Sequence, residues 1–255
     1  MFLLYLLLSF GFLNEIPTNS ANDLTIEKPL PIAEMMHFKN AKFRTSKKNL
    51  DSIAISYSNT KISAAELRKS LKENLSLGTI SFDHVKTEFT NQLVDKIIPH
   101  WYGTPWSFGG HTAIPNQGKI ACGYFISTTL RDMGMKLNRY TLAQKSPIDE
   151  AKMISCGAEI KTVTQDTPEK AFEEIDSLTK EGIYFIGFDE GHVGYLLKRE
   201  GELLLIHSNY LAPISVCIEP LEASRVFKRF TTFHLVAISH NEVLLQRWLD
   251  NGAIL

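Results

Sequence analysis

One cysteine and two histidines stand where they could carry out nucleophilic chemistry. Cys122 lies where a glycine-rich segment enters a stretch of helical apolar spacing, and His192 begins an apolar strand directly after Asp189-Glu190-Gly191. A thiol at the start of a helix lies near unpaired backbone N–H groups and the positive end of the helix dipole, which favour the thiolate. We therefore predict a lowered pKa for Cys122 and expect His192 to act as its general base.

His207 closes the next predicted strand and is the third member of this group. A short turn at Glu200-Gly201-Glu202 joins the two strands as a hairpin, which places His192 and His207 nearly opposite each other. We expect His207 to hold the ring nitrogen of His192 that faces away from the thiol, and so to fix the tautomer of the base. Gly123 would let a substrate carbonyl approach, and its backbone N–H could face an oxyanion.

Each of these residues also has a purely structural explanation. Cys122 continues an apolar helical stripe with Ile126 and Leu130, so it could be a small buried residue. Either histidine could be a half-buried side chain whose hydrogen bonds are satisfied. Cys156 and Cys217 are interpreted as structural, either as buried thiols or as one disulfide.

Metal binding is the weaker chemical alternative. His100 and His111 flank the glycine-rich segment and could join Asp189, but they form no recognised metal-ligand spacing. The cysteine spacings match no zinc pattern either. The sequence therefore predicts neither a metal site nor a cofactor.

The apolar periodicity predicts the elements that must position these side chains. Helices are predicted at 64–75, 82–98, 122–133, 147–155, 168–180 and 241–250. Strands are predicted at 51–56, 159–163, 183–188, 192–198, 203–207, 214–218 and 233–239. The segment 100–125 is rich in glycine and aromatic residues, which indicates a loop that lines a cleft. Helices first and antiparallel strands afterwards indicate an α+β fold.

Composition and charge are those of an ordinary globular protein. The chain has 255 residues, with 27 Lys and Arg against 28 Asp and Glu, and 44% of it is hydrophobic. These values are ordinary for a globular protein and give no electrostatic reason to expect nucleic acid as a partner.

The first 13 residues form an uncharged apolar run that is too short to span a bilayer. Polar residues follow at once, which predicts a signal peptide over 1–21 and a secreted or periplasmic protein without stable membrane insertion after its removal. We divide the remainder into an N-terminal extension with two helices at 22–95 and a catalytic domain at 96–255.

Three motifs in chain order resemble the NlpC-type cell-wall cysteine peptidases of the papain-like superfamily. Tyr102-Gly103-Thr104-Pro105-Trp106, followed by Gly109-Gly110, is similar to that family's Y-x-G-T-P-Y…GG segment. FIGFDEGHVGYLL at 185–197 resembles its strand–turn–strand with the catalytic histidine, and Leu205-Ile206-His207 stands where it places a third polar residue. The resemblance covers about 100–240. It implies a papain-like fold in which the helix carrying the cysteine packs on an antiparallel sheet.

By this resemblance Cys122 is the nucleophile, His192 the general base and His207 the orienting residue. The family usually reads D-C-S-G at the nucleophile and has Tyr after Thr-Pro, whereas this chain reads A-C-G-Y at 121–124 and has Trp106. Tyr102 or Tyr124 could supply the missing hydroxyl. The predicted substrate contacts are Trp106, Gly123, Tyr102 and Tyr124.

The sequence therefore predicts a secreted thiol hydrolase, a cysteine peptidase or amidase that cleaves an amide bond, above all in peptidoglycan stem peptides. One alternative keeps the fold and acts as an acyltransferase or amidase on a lipid or a small molecule. Another is a non-catalytic binding scaffold. The joint presence of Cys122, His192 and His207 favours the two catalytic hypotheses, because a degenerate binding relative would be expected to lose at least one of them.

Overall fold

The computed structural model describes residues 26, 28–37, 47–189 and 191–254. The predicted signal peptide at 1–21 lies outside these residues, as does part of the arm that follows it. The described residues form eight α-helices and one six-stranded antiparallel sheet, so the α+β class is confirmed. Within the same residues, no helix combines the length and the apolar character that a membrane crossing requires.

Helices predominate in the first part of the described chain, and five of the six strands follow one another later without an intervening α-helix. The helices are α1 Ile32–His37, α2 Lys47–Ser76, α3 Phe82–Asn91, α4 Cys122–Asp132, α5 Arg139–Ala143, α6 Pro147–Ser155, α7 Pro168–Leu178 and α8 Glu242–Leu249. The strands are β1 Lys161–Thr164, β2 Gly182–Phe188, β3 His192–Arg199, β4 Glu202–Ser208, β5 Val216–Pro220 and β6 Thr232–Ala237.

The sheet has the strand order β1-β6-β2-β3-β4-β5, with every neighbouring pair antiparallel. Glu200 and Gly201 have φ values of 54° and 77°, which the two-residue hairpin turn between β3 and β4 requires. The predicted turn is therefore confirmed, and it sets a register in which Tyr195 pairs with Ile206.

Alternate residues of the strands point into two apolar cores. On one face Val193, Tyr195 and Leu197 belong to the larger core, which also contains apolar side chains of α4, α6 and α8. On the other face Leu196 and Leu205 pack with α7. The sheet is thus covered on both sides, and α4 lies against the central strand β3.

The N-terminal helices belong to the larger core. The predicted strand at 51–56 is wrong, because these residues lie within the 30-residue helix α2. Tyr57, Ala64 and Leu71 are buried on α2 at intervals of seven residues, which is two helical turns. Tertiary packing of this narrow stripe selects the helix.

The predicted helix at 82–98 is present but changes its winding. α3 continues as a π-helix at Gln92–Ile97 and then as a 3₁₀ turn at Ile98–Trp101. Pro99 lies in the first turn of the 3₁₀ segment, where its missing N–H costs no hydrogen bond. The chain therefore leaves the helix directly into the loop that precedes the cysteine.

A buried ion pair joins this π-helical segment to the end of β3. Nη1 of Arg199 lies 2.8 Å from Oδ1 of Asp95, and Nη2 lies 3.3 Å from Oδ2. Both side chains are almost fully buried, and Nη1 of Arg199 also donates to the Leu30 carbonyl at 2.9 Å. The pair thus ties the sheet to two segments of the N-terminal part of the chain.

Replacing Arg199 with alanine should lower the free energy of unfolding by about 3–5 kcal/mol, because Asp95 would keep a buried charge without its partner. Urea denaturation measures this loss. Lys170→Ala is the matched control, since its pair with Asp166 is exposed, and it should cost less than about 0.5 kcal/mol. A loss for Arg199→Ala as small as that of the control would contradict the role given to the pair.

Candidate active site

Cys122 is the first residue of α4, and its sulfur lies beside the start of β3. The N-cap residue Ala121 has no side chain that could accept a hydrogen bond, so the first N–H groups of α4 stay available. The backbone N–H groups of Val193 and Gly123 lie near the sulfur and favour its anionic form. The thiol is therefore held next to the peptide unit that joins His192 to Val193.

The predicted lowering of the Cys122 pKa is wrong. Burial raises the pKa of this thiol to about 11, and the nearby backbone N–H groups lower it by less than burial raises it. Desolvation therefore outweighs the helix start from which the sequence prediction was made. At neutral pH the resting Cys122 carries its proton, so a base is needed to remove it.

His192 is the histidine that lines the cleft together with Cys122. Its side chain is buried, and its Nε2 lies 2.8 Å from Nδ1 of His207. No described residue forms a hydrogen bond with the other ring nitrogen, Nδ1. Burial, together with the neighbouring His207, keeps the pKa of His192 well below its usual value of 6.5. At neutral pH the ring is therefore uncharged and has one nitrogen without a partner.

The two histidines meet because of the pairing of β3 and β4. In this register Gly194 lies opposite His207, so His192 and His207 are diagonal neighbours on one face of the sheet. A Cβ atom on Gly194 would come within 3.1 Å of the His207 Cβ. Because Gly194 has no side chain, there is room beside it for the side chain of His207.

Glu219 on β5 completes a chain of three groups. Its Oε1 lies 3.3 Å from Nε2 of His207. The two atoms are not aligned as a hydrogen bond, but a carboxyl group this close to Nε2 favours a proton on that nitrogen and leaves Nδ1 of His207 as an acceptor. Nε2 of His192 then donates to Nδ1 of His207, and the lone pair of His192 lies on its own Nδ1. Glu219 therefore favours the tautomer of His192 in which Nδ1 carries no proton.

Cys122 and His192 line the same cleft, which has a volume of about 470 Å³. Three of the four predicted substrate contacts, Trp106, Gly123 and Tyr124, also line it. Tyr102 does not: it is buried in the larger core, where burial raises the pKa of its hydroxyl. The structure thus brings together six of the seven predicted site residues once His207, which lies behind His192, is included.

Gly123 has a packing role in addition to its place in the cleft. A Cβ atom at this position would lie 2.6 Å from the carbonyl oxygen of Ala143. The glycine therefore allows the end of α5 to pack against the start of α4. Tyr124, the next residue, receives a hydrogen bond from Gln144 at its hydroxyl, which orients its ring at the cleft wall.

Three residues of the site were missed by the sequence prediction. Glu219 is an acidic residue in an otherwise apolar strand, which was a signal that it needs a partner. Tyr210 packs edge-on against His192, with ring centroids 5.4 Å apart, and lines the cleft. Glu150 on α6 is buried at 1% exposure and also lines the cleft, and only the tertiary structure reveals this burial.

The structure also locates the histidines considered as metal ligands and the two cysteines considered as a disulfide. His100 bonds to the Thr60 hydroxyl, and His111 bonds to the Gly109 carbonyl. All three cysteines are free thiols, so Cys156 and Cys217 are not bridged. His207, Cys217 and Glu219 offer ligand atoms within 4.8 Å of one another. Two of these residues already pair with each other, which explains their proximity without a metal.

Comparisons of the chain with protein-family models, with curated proteins and with solved structures found no match. Its function must therefore be inferred from the site itself.

The imidazole of His192 should remain neutral, with its proton on Nε2, at pH values well below 6.5. The cause is burial, which disfavours the charged ring, and the Glu219–His207 pair, which selects the tautomer. Nitrogen-15 chemical shifts of the imidazole measure both properties. Glu219→Leu should mix the two tautomers of His192, whereas a protonated or Nδ1–H ring in the unaltered protein at pH 6.5 would contradict this geometry.

Glu150→Gln should stabilise the protein more as the pH rises. Burial raises the pKa of Glu150 well above its usual value of 4.5, so folding above that pH requires a proton that glutamine does not need. The free energy of unfolding of the variant, relative to the unaltered protein, should rise by up to about 1.4 kcal/mol per pH unit. Urea denaturation at pH 5 and pH 8 measures this difference. An equal effect at both values would show that Glu150 ionises normally.

Proposed function

We propose that the protein is a thiol hydrolase that cleaves an amide bond, with Cys122 as nucleophile and His192 as general base. The observation that carries this proposal is the free Nδ1 of a neutral, oriented imidazole in the same cleft as a helix-start thiol. A buried polar nitrogen without a partner is costly, and such groups are concentrated at functional sites. His207 and Glu219 are positioning residues, because they act through His192.

The reaction begins with two neutral groups. Nδ1 of His192 removes the proton of Cys122 as the sulfur attacks the carbonyl carbon, so an imidazolium and a tetrahedral oxyanion form together. The positive charge is stabilised along the chain through His207 to Glu219. The N–H groups at the start of α4 are donors that could face the oxyanion. Charge thus appears only when substrate is present.

The second half of the reaction releases the products. The imidazolium returns its proton to the leaving amine as the C–N bond breaks, which leaves a thioester on Cys122. Water then attacks this thioester, with His192 again as base, and restores the thiol as the acid product departs. Every proton is exchanged with His192 or water, so the reaction requires no cofactor.

The substrate class and the compartment belong to the same proposal. The cleft volume lies in the range of ordinary ligand sites, and the aromatic side chains of Trp106, Tyr124 and Tyr210 line it. Such walls accommodate a short peptide. The resemblance to cell-wall peptidases favours the stem peptides of peptidoglycan, and the apolar N-terminal run of the sequence favours a secreted or periplasmic protein.

Cys122→Ser and His192→Ala should each lower the release of peptide fragments from purified peptidoglycan by at least about a thousandfold, because nucleophile and base act as a unit. His207→Ala should be milder, about ten- to a thousandfold, because the base remains and only its orientation is lost. Mass spectrometry of the soluble fragments measures the rates. Cys156→Ser, a free thiol outside the cleft, is the matched control and should retain the rate.

The alternatives give different results in the same experiment. Equal digestion by Cys122→Ser and the unaltered protein would exclude the thiol mechanism and leave a binding scaffold. Absence of fragments, together with a Cys122-dependent thioester trapped by hydroxylamine from a lipid or small-molecule donor, would favour the acyltransferase or amidase.

A further inference from the structure

The mechanism leaves one buried ionisable group of the cleft unused. Glu150 lies on α6 with 1% of its surface exposed, and it lines the cleft together with Cys122. Both residues border the same space of about 470 Å³. A substrate that occupies this cleft and reaches Cys122 therefore also lies near Glu150.

The carboxyl has no partner within the described part of the chain. Its Oε1 is fully buried and forms no hydrogen bond, and no described Lys, Arg or His forms a salt bridge with Glu150. An isolated buried carboxylate is so costly that the group takes up a proton instead. Glu150 therefore presents a neutral carboxylic acid, with one O–H donor and one carbonyl acceptor, to the cleft.

The chemistry at Cys122 decides which ligand suits this group. Negative charge develops on the sulfur and on the attacked carbonyl oxygen, and a second negative charge at Glu150 would oppose that step. An ammonium ligand would draw the proton from Glu150 and leave a carboxylate there. A neutral ligand keeps Glu150 neutral while the negative charge develops at Cys122, and is therefore favoured.

We propose that Glu150 binds a primary carboxamide of the substrate, such as an amidated carboxyl group next to the cleaved bond. This inference rests on the proposed function, because it names a substrate group of the same site. A carboxylic acid and a primary carboxamide complement each other: the O–H donates to the amide oxygen while one amide N–H donates to the acid carbonyl. A trans peptide group cannot form both bonds, because its N–H and C=O point in opposite directions.

Three synthetic tripeptides test this proposal. Each has the sequence Ala-γ-Glu-Lys, and the α-carboxyl of its glutamate is free, amidated, or replaced by an aminomethyl group. Titration calorimetry with Cys122→Ser measures binding without turnover. The amidated peptide should bind about tenfold more tightly than the other two, which corresponds to about 1.4 kcal/mol for the satisfied buried group.

Two substitutions at Glu150, each combined with Cys122→Ser, separate recognition from folding. Glu150→Leu removes both hydrogen-bonding groups and should abolish the preference, whereas Glu150→Gln keeps a donor and an acceptor and should restore it. Glu159→Gln is the matched control, since Glu159 is exposed and lies outside this cleft, and it should leave the preference unchanged. Circular dichroism verifies that each variant is folded.

Equal binding of the three peptides, or no binding of the amidated one, would overturn the proposal. Tighter binding of the aminomethyl peptide would replace it with a cation site at Glu150. Turnover of the same peptides by the unaltered protein is measured separately. A preference for the amide without any cleavage would contradict the hydrolase function for these peptides and leave the Glu150 inference standing.

Discussion

Between His192 and His207 lies a hydrogen bond of 2.8 Å that depends on the pairing of two backbone strands. The two rings are diagonal neighbours, so their distance follows from the register of β3 and β4. A slip of one residue would turn His207 to the opposite face of the sheet, away from His192. The turn at Glu200 and Gly201 prevents such a slip, because its positive φ values fix the hairpin.

Burial then gives the site its electrostatic character. Cys122, His192 and Glu150 are all shifted toward their neutral forms, and desolvation is the first cause in each case. Neutral groups need no compensating counter-ions, so the cleft can remain dry and still be polar. Glu219 lies behind both histidines, with its Oε1 3.3 Å from Nε2 of His207, and it does not line the cleft.

The parts of the site that could be predicted from the sequence are those with local signals. Helix α4 was predicted from its apolar spacing and from Gly134, which lies just after the end of the helix and has a φ of 89°. The β3–β4 hairpin followed from two apolar runs and a glycine turn. These two elements alone bring Cys122, His192 and His207 into one region.

Residues whose roles depend on long-range packing could not be predicted in the same way. Glu219 reaches His207 only because β5 pairs with β4, and the buried state of Glu150 depends on the packing of α6 against the sheet. The Cys122 pKa was predicted from the helix start alone, whereas its direction is decided by the surroundings of the sulfur. The strand predicted at 51–56 failed because the helix α2 derives its burial from distant residues such as Asp132 and Trp101.

The position of Arg199 has a consequence for modularity. Arg199 ends the strand that His192 begins, and it is held by Asp95 and by the carbonyl of Leu30. The region from residue 96 onward is therefore anchored in part by residues that precede it. A chimera that transplanted only 96–255 onto another N-terminal segment would expose an unmatched guanidinium at the hairpin end. The strand that carries His192 would then fray from that end, so the two parts of the chain must be exchanged together.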